Sequence, residues 1–364
     1  MALASNDMLL RTVVREPGVI VGPIAKLLGI VCDVCFNLVY SITPAMSLGI
    51  TIILFTIIVK LLLVPLTISS QKSMIKTQEL QPKLQALQDK YANSKNDPEA
   101  QQKMSMEMSA LYRENKVNPF SGCLPLLIQM PILFALYYVI QQPQMYIDVI
   151  GNVINGIDGM RDTIATLLST SCLDLGVLNA EAMELSQLPE VVRPQIEFLY
   201  NILMQQEVYG VNLLTVDGLK TAMDTLSVTD LQTFINTYYS SNAELMEIGN
   251  LITTRDEIYN FFFLNLIEAP GWRGLGIIVP VTTWATTYLQ YKVSMSNSSS
   301  NNEMMQQQQK MMMMIFPVMM AVMTINLPSG LGLYWNVGNI LSMIQQVVIN
   351  KVFRKNKEAL EGDN

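Results

Sequence analysis

Five stretches of the chain are almost continuously apolar, and each is long enough, or nearly so, to form a membrane-spanning helix. They lie near residues 45–68, 123–141, 274–291, 311–328 and 331–350. A helix needs about 20 mostly apolar residues to cross the hydrocarbon core of a bilayer. The pattern therefore predicts an all-α membrane protein with five transmembrane helices.

Between the first two apolar stretches the pattern becomes periodic. Two stripes have helical spacing, and they comprise Leu80, Leu84, Leu87 and Tyr91, then Met104, Met108, Leu111 and Tyr112. Asp97 can cap the second helix, with Pro98 in its first turn. We predict an antiparallel helical hairpin. Its methionines indicate either an adaptable surface for apolar partners or simply the packing of one helix on the other.

Charge is distributed unevenly around these stretches. Segment 69–119 carries eight Lys or Arg, whereas segment 144–268 has four against 17 Asp or Glu, a net charge of −13. Four more cations follow the last apolar stretch, at Lys351, Arg354, Lys355 and Lys357. Because cytoplasmic loops are enriched in Lys and Arg, the hairpin and the C-terminus are expected in the cytoplasm, with the N-terminus and the acidic segment outside.

These patterns together predict the organisation of the whole chain. Residues 18–43 are interpreted as an amphipathic helix at the membrane surface. The predicted segments are an N-terminal segment 1–43, a first span 44–68, a cytoplasmic hairpin 69–119, a second span 120–143, an acidic extracytoplasmic helical domain 144–268, a third span 269–291, a cytoplasmic loop 292–309, a fourth span 310–328, a fifth span 329–351 and a cytoplasmic tail 352–364.

Composition argues against several kinds of chemistry. The chain has no His, which removes imidazole from acid–base catalysis and metal binding. Cys32 and Cys35 form a C-x-x-C pair that suits either redox chemistry or the apolar face of a helix. The consecutive residues Met311–Met314 point around a helix instead of converging on Cu(I). We predict no metal and no cofactor.

Lys60 is the one charge in the interior of the first apolar stretch. Such a residue either serves a function in a bundle interior or wet cavity, or extends its ammonium to the membrane surface. Thr56 lies one helical turn before it and shares its face. None of the five predicted spans contains Asp or Glu. An unpaired cation in a dry bundle is very unfavourable, so a water-filled groove open to the cytoplasm is the preferred interpretation.

Several motifs resemble the YidC-type insertases, a family that includes the mitochondrial and chloroplast insertases. The most extended match is Val117–Ile132, which is similar to the family signature N-P-x-x-G-C-x-P-x-x-I-Q-M-P-I. Further matches are Ile58–Lys60 with Pro65–Thr67, Leu80–Lys83, and Pro328–Trp335 with Gln345 and Gln346. The resemblance covers roughly 45–143 and 270–351, about half of the chain.

This resemblance implies five core helices around a hydrophilic groove with a positive charge in the first span. The family usually has arginine there, and the matching position is Lys60, which keeps the charge but not the planar fork of donors. Groove-lining and client-contacting positions map onto Thr56, Gln129, Met130 and Trp335. The implied activity is non-enzymatic: Lys60 draws the polar or acidic tail of a nascent segment into the groove, and the segment then moves into lipid.

The implied partners and location follow from the same resemblance. The partners are nascent membrane-protein clients, the lipid bilayer and, weakly, the ribosome through the hairpin, loop and tail; a contact with the Sec translocase is left open. The location is the cytoplasmic membrane of a bacterium. The alternative function is a transporter or channel for a small anionic solute, although no internal repeat is visible. The acidic domain is either a helical cap or an interaction domain.

Overall fold

Residues 18–19, 21–91, 97–115, 124–179, 184–295 and 303–362 are described by a computed structural model. The N-terminal residues 1–17, the predicted turn at 93–96, the motif residues 117–123 and part of the 292–309 loop lie outside these ranges. In the part that is described, the chain is all-α apart from one short hairpin of two strands. The expected all-α class is confirmed.

One group of helices forms a bundle. It comprises α1 (Val21–Ile42), α2 (Ser47–Leu62), α3 (Val64–Glu79), α6 (Leu124–Gln141), and, after the acidic domain, α13 (Ile278–Met295), α14 (Glu303–Ile325) and α15 (Ser329–Gly362). Between α3 and α6 the hairpin helices α4 (Gln81–Lys90) and α5 (Pro98–Glu114) pack on each other. Helix α1 packs on α2 and α6, while α15 packs on α2 and α13. Phe36, Phe55, Leu136 and Tyr334 meet in the bundle core.

A second group of helices forms the acidic domain with a core of its own. It comprises α7 (Asp148–Asp174), α8 (Arg193–Gln205), α9 (Val216–Thr225), α10 (Val228–Tyr238), α11 (Ala243–Met246) and α12 (Ile248–Tyr259), followed by strands β1 (Asn260–Phe261) and β2 (Leu264–Asn265). Helices α7 and α12 pack on each other and contribute residues to both cores. They therefore connect the domain to the bundle.

Among the single helices of the described chain, only α1 is long and apolar enough to cross a membrane, by length and composition. Helices α2 and α3, taken together as far as Ser73, are also long and apolar enough, but they are bent by 53° at their junction. The bend lies beside Pro65, which removes a backbone donor. Helices α13 and α15 carry several Thr, Asn and Gln residues within their apolar stretches, which lowers their hydropathy. The count of five spans therefore stays a prediction.

Helix α1 has three distinct faces. Ala25, Cys32 and Phe36 are buried, whereas the exposed side divides into two strips. One strip is largely apolar and comprises Leu27, Ile30, Val34, Leu38 and Ile42; beside it lies a narrower polar strip with Lys26 and Asn37. This division is typical of a helix lying between a protein, lipid and water. Its position in the membrane stays a prediction.

The hairpin between the first two predicted spans has the expected packing. Leu80 and Leu84 are buried against Met108, Leu111 and Tyr112. Asp97 caps α5 by accepting a hydrogen bond from the Glu99 backbone N–H, and Pro98 is the first helical residue. Met106, in contrast, is exposed. The stripes thus pack on each other, and only part of the methionine surface is free for a partner.

Candidate functional site

The side chain of Lys60 lies between α2 and α15. Its ammonium Nζ donates a hydrogen bond to Ser342 Oγ at 2.9 Å, and this hydroxyl donates to the Gly338 carbonyl at 2.8 Å. Gln345 Nε2 donates to the Lys60 carbonyl at 3.3 Å. That carbonyl belongs to the last turn of α2, where helical acceptors lack partners within the helix. Both the side-chain ammonium and the backbone carbonyl of Lys60 are therefore hydrogen-bonded to α15.

Gly338 on α15 lies opposite Lys60 and Thr56, at van der Waals distance from both side chains. A Cβ placed there would lie 3.4 Å from Lys60 Cε and 3.9 Å from Thr56 Cγ2. Thr56 and Lys60 thus face the same point on α15, as their spacing of four residues predicts. Thr56 is fully buried and its hydroxyl donates to the Ile52 carbonyl of its own helix. In this conformation Thr56 lines the contact with α15 and has no open surface for a client.

Gln129 and Met130, both on α6, differ in their surroundings. Gln129 Nε2 donates to the buried hydroxyl of Tyr334 on α15 at 2.6 Å. The side chain of Met130 is exposed. Trp335 follows Tyr334, and its indole Nε1 is buried with no hydrogen-bond partner within the described residues. A buried donor without a partner is costly unless water or a ligand satisfies it.

One face of α15 brings these contacts together. Tyr334, Gly338 and Ser342 recur every four residues and meet α6 and then α2 in turn. Tyr334 and Ser342 are eight residues apart, about 12 Å along a helix axis. The Gln129 and Lys60 contacts therefore lie at different depths of the bundle. Helix α15 thus links Gln129 of α6 to the Thr56 and Lys60 pair of α2.

A second polar seam on α15 was not recognised in the sequence. Asn336 Nδ2 donates to Thr282 Oγ1 and its Oδ1 accepts from Thr286 Oγ1, while Asn339 Nδ2 donates to Thr286 and Thr287 Oγ1, at 2.8 to 3.2 Å. The signal that could have revealed it is Thr and Asn at helical spacing within apolar stretches. Because interhelical hydrogen bonds associate helices in lipid, this seam holds α13 against α15.

Carboxylates form no ion pair with Lys60 in the described part of the chain. Its polar side-chain partner is the neutral hydroxyl of Ser342. A lysine held by a neutral group has no fixed counter-ion that would compete with a mobile anion. This arrangement can attract an acidic group electrostatically, but it offers no nucleophile paired with a base.

Metal and redox chemistry find little support within the described residues. They contain no group of three or more His, Cys, Asp or Glu residues that could hold a metal ion. Cys32 and Cys35 are buried free thiols on α1, as is Cys172 in the acidic domain. Burial raises the pKa of the Cys172 thiol, which disfavours the reactive thiolate. Cys123 lies outside the described residues.

Comparison with known proteins relates this chain to one family and to several relatives that share one name. A family model described as "60Kd inner membrane protein" matches residues 38–357. A protein of Enterococcus faecalis named "Membrane protein insertase YidC" is 55% identical over 96 residues, which are 26% of this chain and 34% of that protein. Proteins of the same name from Clostridium perfringens and Clostridium tetani are 60% identical over 90 residues and 50% identical over 101 residues.

These pairwise matches are strong but short. The Clostridium alignments cover 25% and 28% of this chain, and 35% and 43% of the respective relatives. The matched stretches thus span well under half of each relative, whereas the family model extends over most of the chain. Together with the all-α fold, this match shows that the chain belongs to the 60Kd inner membrane protein family.

Proposed function

We propose that this chain is a membrane protein insertase, which receives nascent hydrophobic segments beside Lys60 and releases them into the lipid bilayer. The observation that carries the proposal is the ammonium of Lys60, held between α2 and α15 by the neutral hydroxyl of Ser342. The relatives named membrane protein insertase YidC support the same activity. The activity involves no covalent chemistry, so the protein is not an enzyme.

The proposed topology has five spans, which include α2, α6, α13, α14 and α15. Support comes from their packing as one bundle and from the cations concentrated in 69–119 and in the tail. We place the hairpin, the 292–309 loop and the C-terminus in the cytoplasm, and the N-terminus and the acidic domain outside. The membrane is the cytoplasmic membrane of a bacterium.

The proposed groove is hydrophilic, opens to the cytoplasm and has Lys60 as its charge. A lysine at the centre of a membrane helix costs about 2.5–3.5 kcal/mol on insertion scales, and a water-filled groove removes much of that cost. Met130 is exposed and offers an adaptable apolar contact. Thr56, Gln129 and Trp335 complete the lining, and a client reaches Thr56 only after α2 and α15 separate. Such a separation would also release Lys60 from Ser342.

The mechanism follows from this charge. Lys60 attracts the polar or acidic tail that leads a nascent segment, which shortens the path that the tail must cross through hydrocarbon. The apolar segment then leaves sideways into lipid, where its transfer is favourable. The ammonium acts as a point charge without bidentate geometry, so we expect tolerance for different acidic tails.

Further partners are proposed from exposed charge. The hairpin, the 292–309 loop and the tail carry the cytoplasmic cations, which would attract the ribosomal RNA beside an emerging nascent chain. Lys103 is paired with Glu99 and Lys90 with Glu107, so part of this charge is already compensated. We therefore propose only a weak ribosome contact. A contact with the Sec translocase is proposed on the resemblance alone.

The test is insertion of single-span clients into liposomes that contain the purified protein. Lys60→Glu is expected to lower insertion of a client with an acidic tail at least about tenfold, because one close charge pair at intermediate dielectric is worth a few kcal/mol and about 1.4 kcal/mol already corresponds to a factor of ten. A client with a neutral tail should change little, and a lysine-tailed client should be inserted better than by the wild type. Lys292→Glu, an exposed lysine near the end of α13, is the matched control.

Two results would contradict the proposal. Wild-type insertion of the acidic-tailed client by Lys60→Glu, at equal protein level, would remove the electrostatic step. Movement of a small anion across the liposome without any client insertion would instead indicate the transporter alternative.

A further inference from the structure

The last turn of α12 and the segment that leads from it to α13 are hydrogen-bonded to the ends of several bundle helices. Its backbone exchanges hydrogen bonds with the start of α2, the end of α14 and the start of α15. These bonds are Met46 N to the Glu257 carbonyl, Gly271 N to the Ile325 carbonyl, Ser329 N to the Glu268 carbonyl, and Gly330 N to the Leu266 carbonyl, at 2.7 to 3.3 Å. Residues 257–271 therefore form a rim where the acidic domain meets the bundle.

A β-hairpin projects from this rim with two aromatic residues at its tip. Strands β1 and β2 pair Asn260 with Asn265 and Phe261 with Leu264, which leaves Phe262 and Phe263 as the turn. Phe262 is 71% exposed and Phe263 is 51% exposed. Exposed adjacent aromatic side chains at a turn are unusual, because polar residues and glycine dominate such positions.

The hairpin is held firmly in place. The ring of Phe261 lies over Gly49 in the first turn of α2, where any Cβ would overlap the ring. Phe261 also packs against Phe262 with 4.9 Å between ring centroids. Phe262 adopts a φ of 54°, a left-handed conformation that is strained for an aromatic residue. The side chain of Phe262 nevertheless points outward and contributes little to the core.

A second exposed apolar group follows directly after the rim. Trp272 is 65% exposed and Leu275 is 60% exposed, just before α13 begins. They follow Gly271, whose backbone is bonded to the end of α14. Arg273 lies exposed between them and can contact a lipid phosphate. From there, exposed apolar residues continue along α13, among them Val281 and Trp284.

We propose that Phe262 and Phe263, with Trp272 and Leu275, insert into the outer leaflet of the bilayer and hold the acidic domain against the membrane surface. The inference rests on the proposed function, because that function places the bundle in the membrane. Lipid is the occupant because Trp272 and Leu275 lead directly into the exposed apolar side of α13, and because the contact of Phe261 with Gly49 places the hairpin at the start of the proposed span α2. Aromatic side chains also favour the membrane–water interface.

Charge explains why the anchor is apolar. The segment 144–268 has a net charge of −13, so an anionic lipid surface repels the domain as a whole. Basic residues are scarce in this segment and cannot hold it by attraction. Uncharged aromatic side chains hold the domain regardless of the lipid charge.

The experiment measures the membrane depth of single tryptophans in the full-length chain. Trp272, Trp284 and Trp335 are first replaced by Phe, and Phe262→Trp is added. The protein is reconstituted in phosphatidylcholine vesicles with and without brominated lipid, which quenches nearby tryptophan. Tyr209→Trp in the same background is the matched control, because Tyr209 is also 71% exposed but lies next to α8, away from the rim.

The expected result is that brominated lipid removes roughly half of the emission at position 262 and little at position 209. A tryptophan retained only at position 284 should also be quenched, since Trp284 lies on the exposed side of α13. Quenching at 284 without quenching at 262 overturns the anchor and leaves the proposed function intact. No quenching at either position contradicts the membrane bundle and with it the proposed function.

A second measurement covers the case in which the tryptophan replacements impair folding. A photo-crosslinking amino acid at position 262 of the otherwise native chain should label lipid in native membranes. Labelling of another protein with no labelling of lipid would overturn the proposal and assign the hairpin to a protein contact.

Discussion

The acidic domain and the helix bundle each enclose a positively charged side chain, and the two regions hold it in opposite ways. Arg161 on α7 is 2% exposed, and its Nη1 donates to the carbonyls of Met223 and Leu226 at the end of α9. Lys60 in the bundle donates to the single hydroxyl of Ser342. Arg161 thus donates to carbonyl groups at the C-terminal end of α9, whereas the ammonium of Lys60 has one neutral hydroxyl as its side-chain partner.

This difference separates a structural cation, Arg161, from the cation that we propose to be functional, Lys60. Arg161 also lies 3.7 Å from Asp158, one turn earlier, so its charge is compensated locally. Lys60 has no such compensation among the described residues. A buried cation that completes a fold has many fixed acceptors, while one that must receive a mobile ligand keeps few.

The largest effect on stability is expected at Arg161. Arg161→Met removes the Arg161 donor from the Leu226 carbonyl and leaves the Met223 carbonyl with only the Leu226 backbone N–H. Because an unsatisfied buried acceptor costs about 1–3 kcal/mol, we expect the acidic domain to lose about 2 kcal/mol of unfolding free energy, measured by hydrogen exchange of α9 amides. Insertion by folded protein at low temperature should be unchanged. Loss of insertion without destabilisation would indicate that Arg161 has a role in function.

A smaller effect, on the insertion of acidic-tailed clients, is expected from a substitution of Ser342, the partner of Lys60. Ser342→Ala removes one neutral hydrogen bond, which contributes about 1 kcal/mol. Because the ammonium then has one fewer competing partner, we expect insertion of acidic-tailed clients to be retained or increased, by up to about fivefold. Ser342→Thr keeps the hydroxyl and serves as the control. A tenfold loss with Ala, restored by Thr, would show that Ser342 orients Lys60 instead of merely holding it.

The smallest effect is expected for an exposed cation. Lys90 donates to Glu107 at 2.8 Å across the hairpin of α4 and α5, and Tyr91 donates to the same carboxylate. The bonds from Lys90 and Tyr91 lower the pKa of Glu107, and the bond to Glu107 raises the pKa of Lys90. Both side chains are well exposed, so solvent screens the pair.

The pH dependence of this pair has a definite sign. The contribution of Glu107 is complete above its unfolded pKa of about 4.3 and is lost as the pH falls through its lowered folded value. The contribution of Lys90 is complete below its unfolded pKa of about 10.4 and is lost as the pH rises through its raised folded value. Glu107→Gln should therefore increase hydrogen exchange of α4 and α5 slightly at pH 7 and not at all near pH 3. An equal increase at both pH values would contradict this electrostatic origin.

Much of the local structure was predictable because it depends on neighbouring residues. The Asp97 cap, the Pro98 start of α5 and the two apolar stripes of the hairpin followed from spacing along the chain. The bend after Leu62 was not predicted, although Pro65 was visible. Proline allows a bend, but packing decides whether the helix continues or changes direction.

The candidate site was only partly predictable. The sequence identified Lys60 and Thr56 as sharing a face, because that depends on helical periodicity. It did not identify Ser342 or Gly338, which are about 280 positions away in the chain and ordinary in composition. It also missed Asn336 and Asn339, since a polar residue in an apolar helix does not reveal which neighbour it contacts.

The sequence by itself determined that this protein is helical, that its apolar stretches carry one interior lysine without acidic neighbours in any predicted span, and that a strongly acidic segment separates two basic regions. Those properties follow from composition and periodicity along single elements. The tertiary structure alone decided what Lys60 contacts, which helices join the two cores, and that Phe262 projects from the rim. These properties depend on contacts between residues distant in the chain, and such contacts arise from the packing of whole helices.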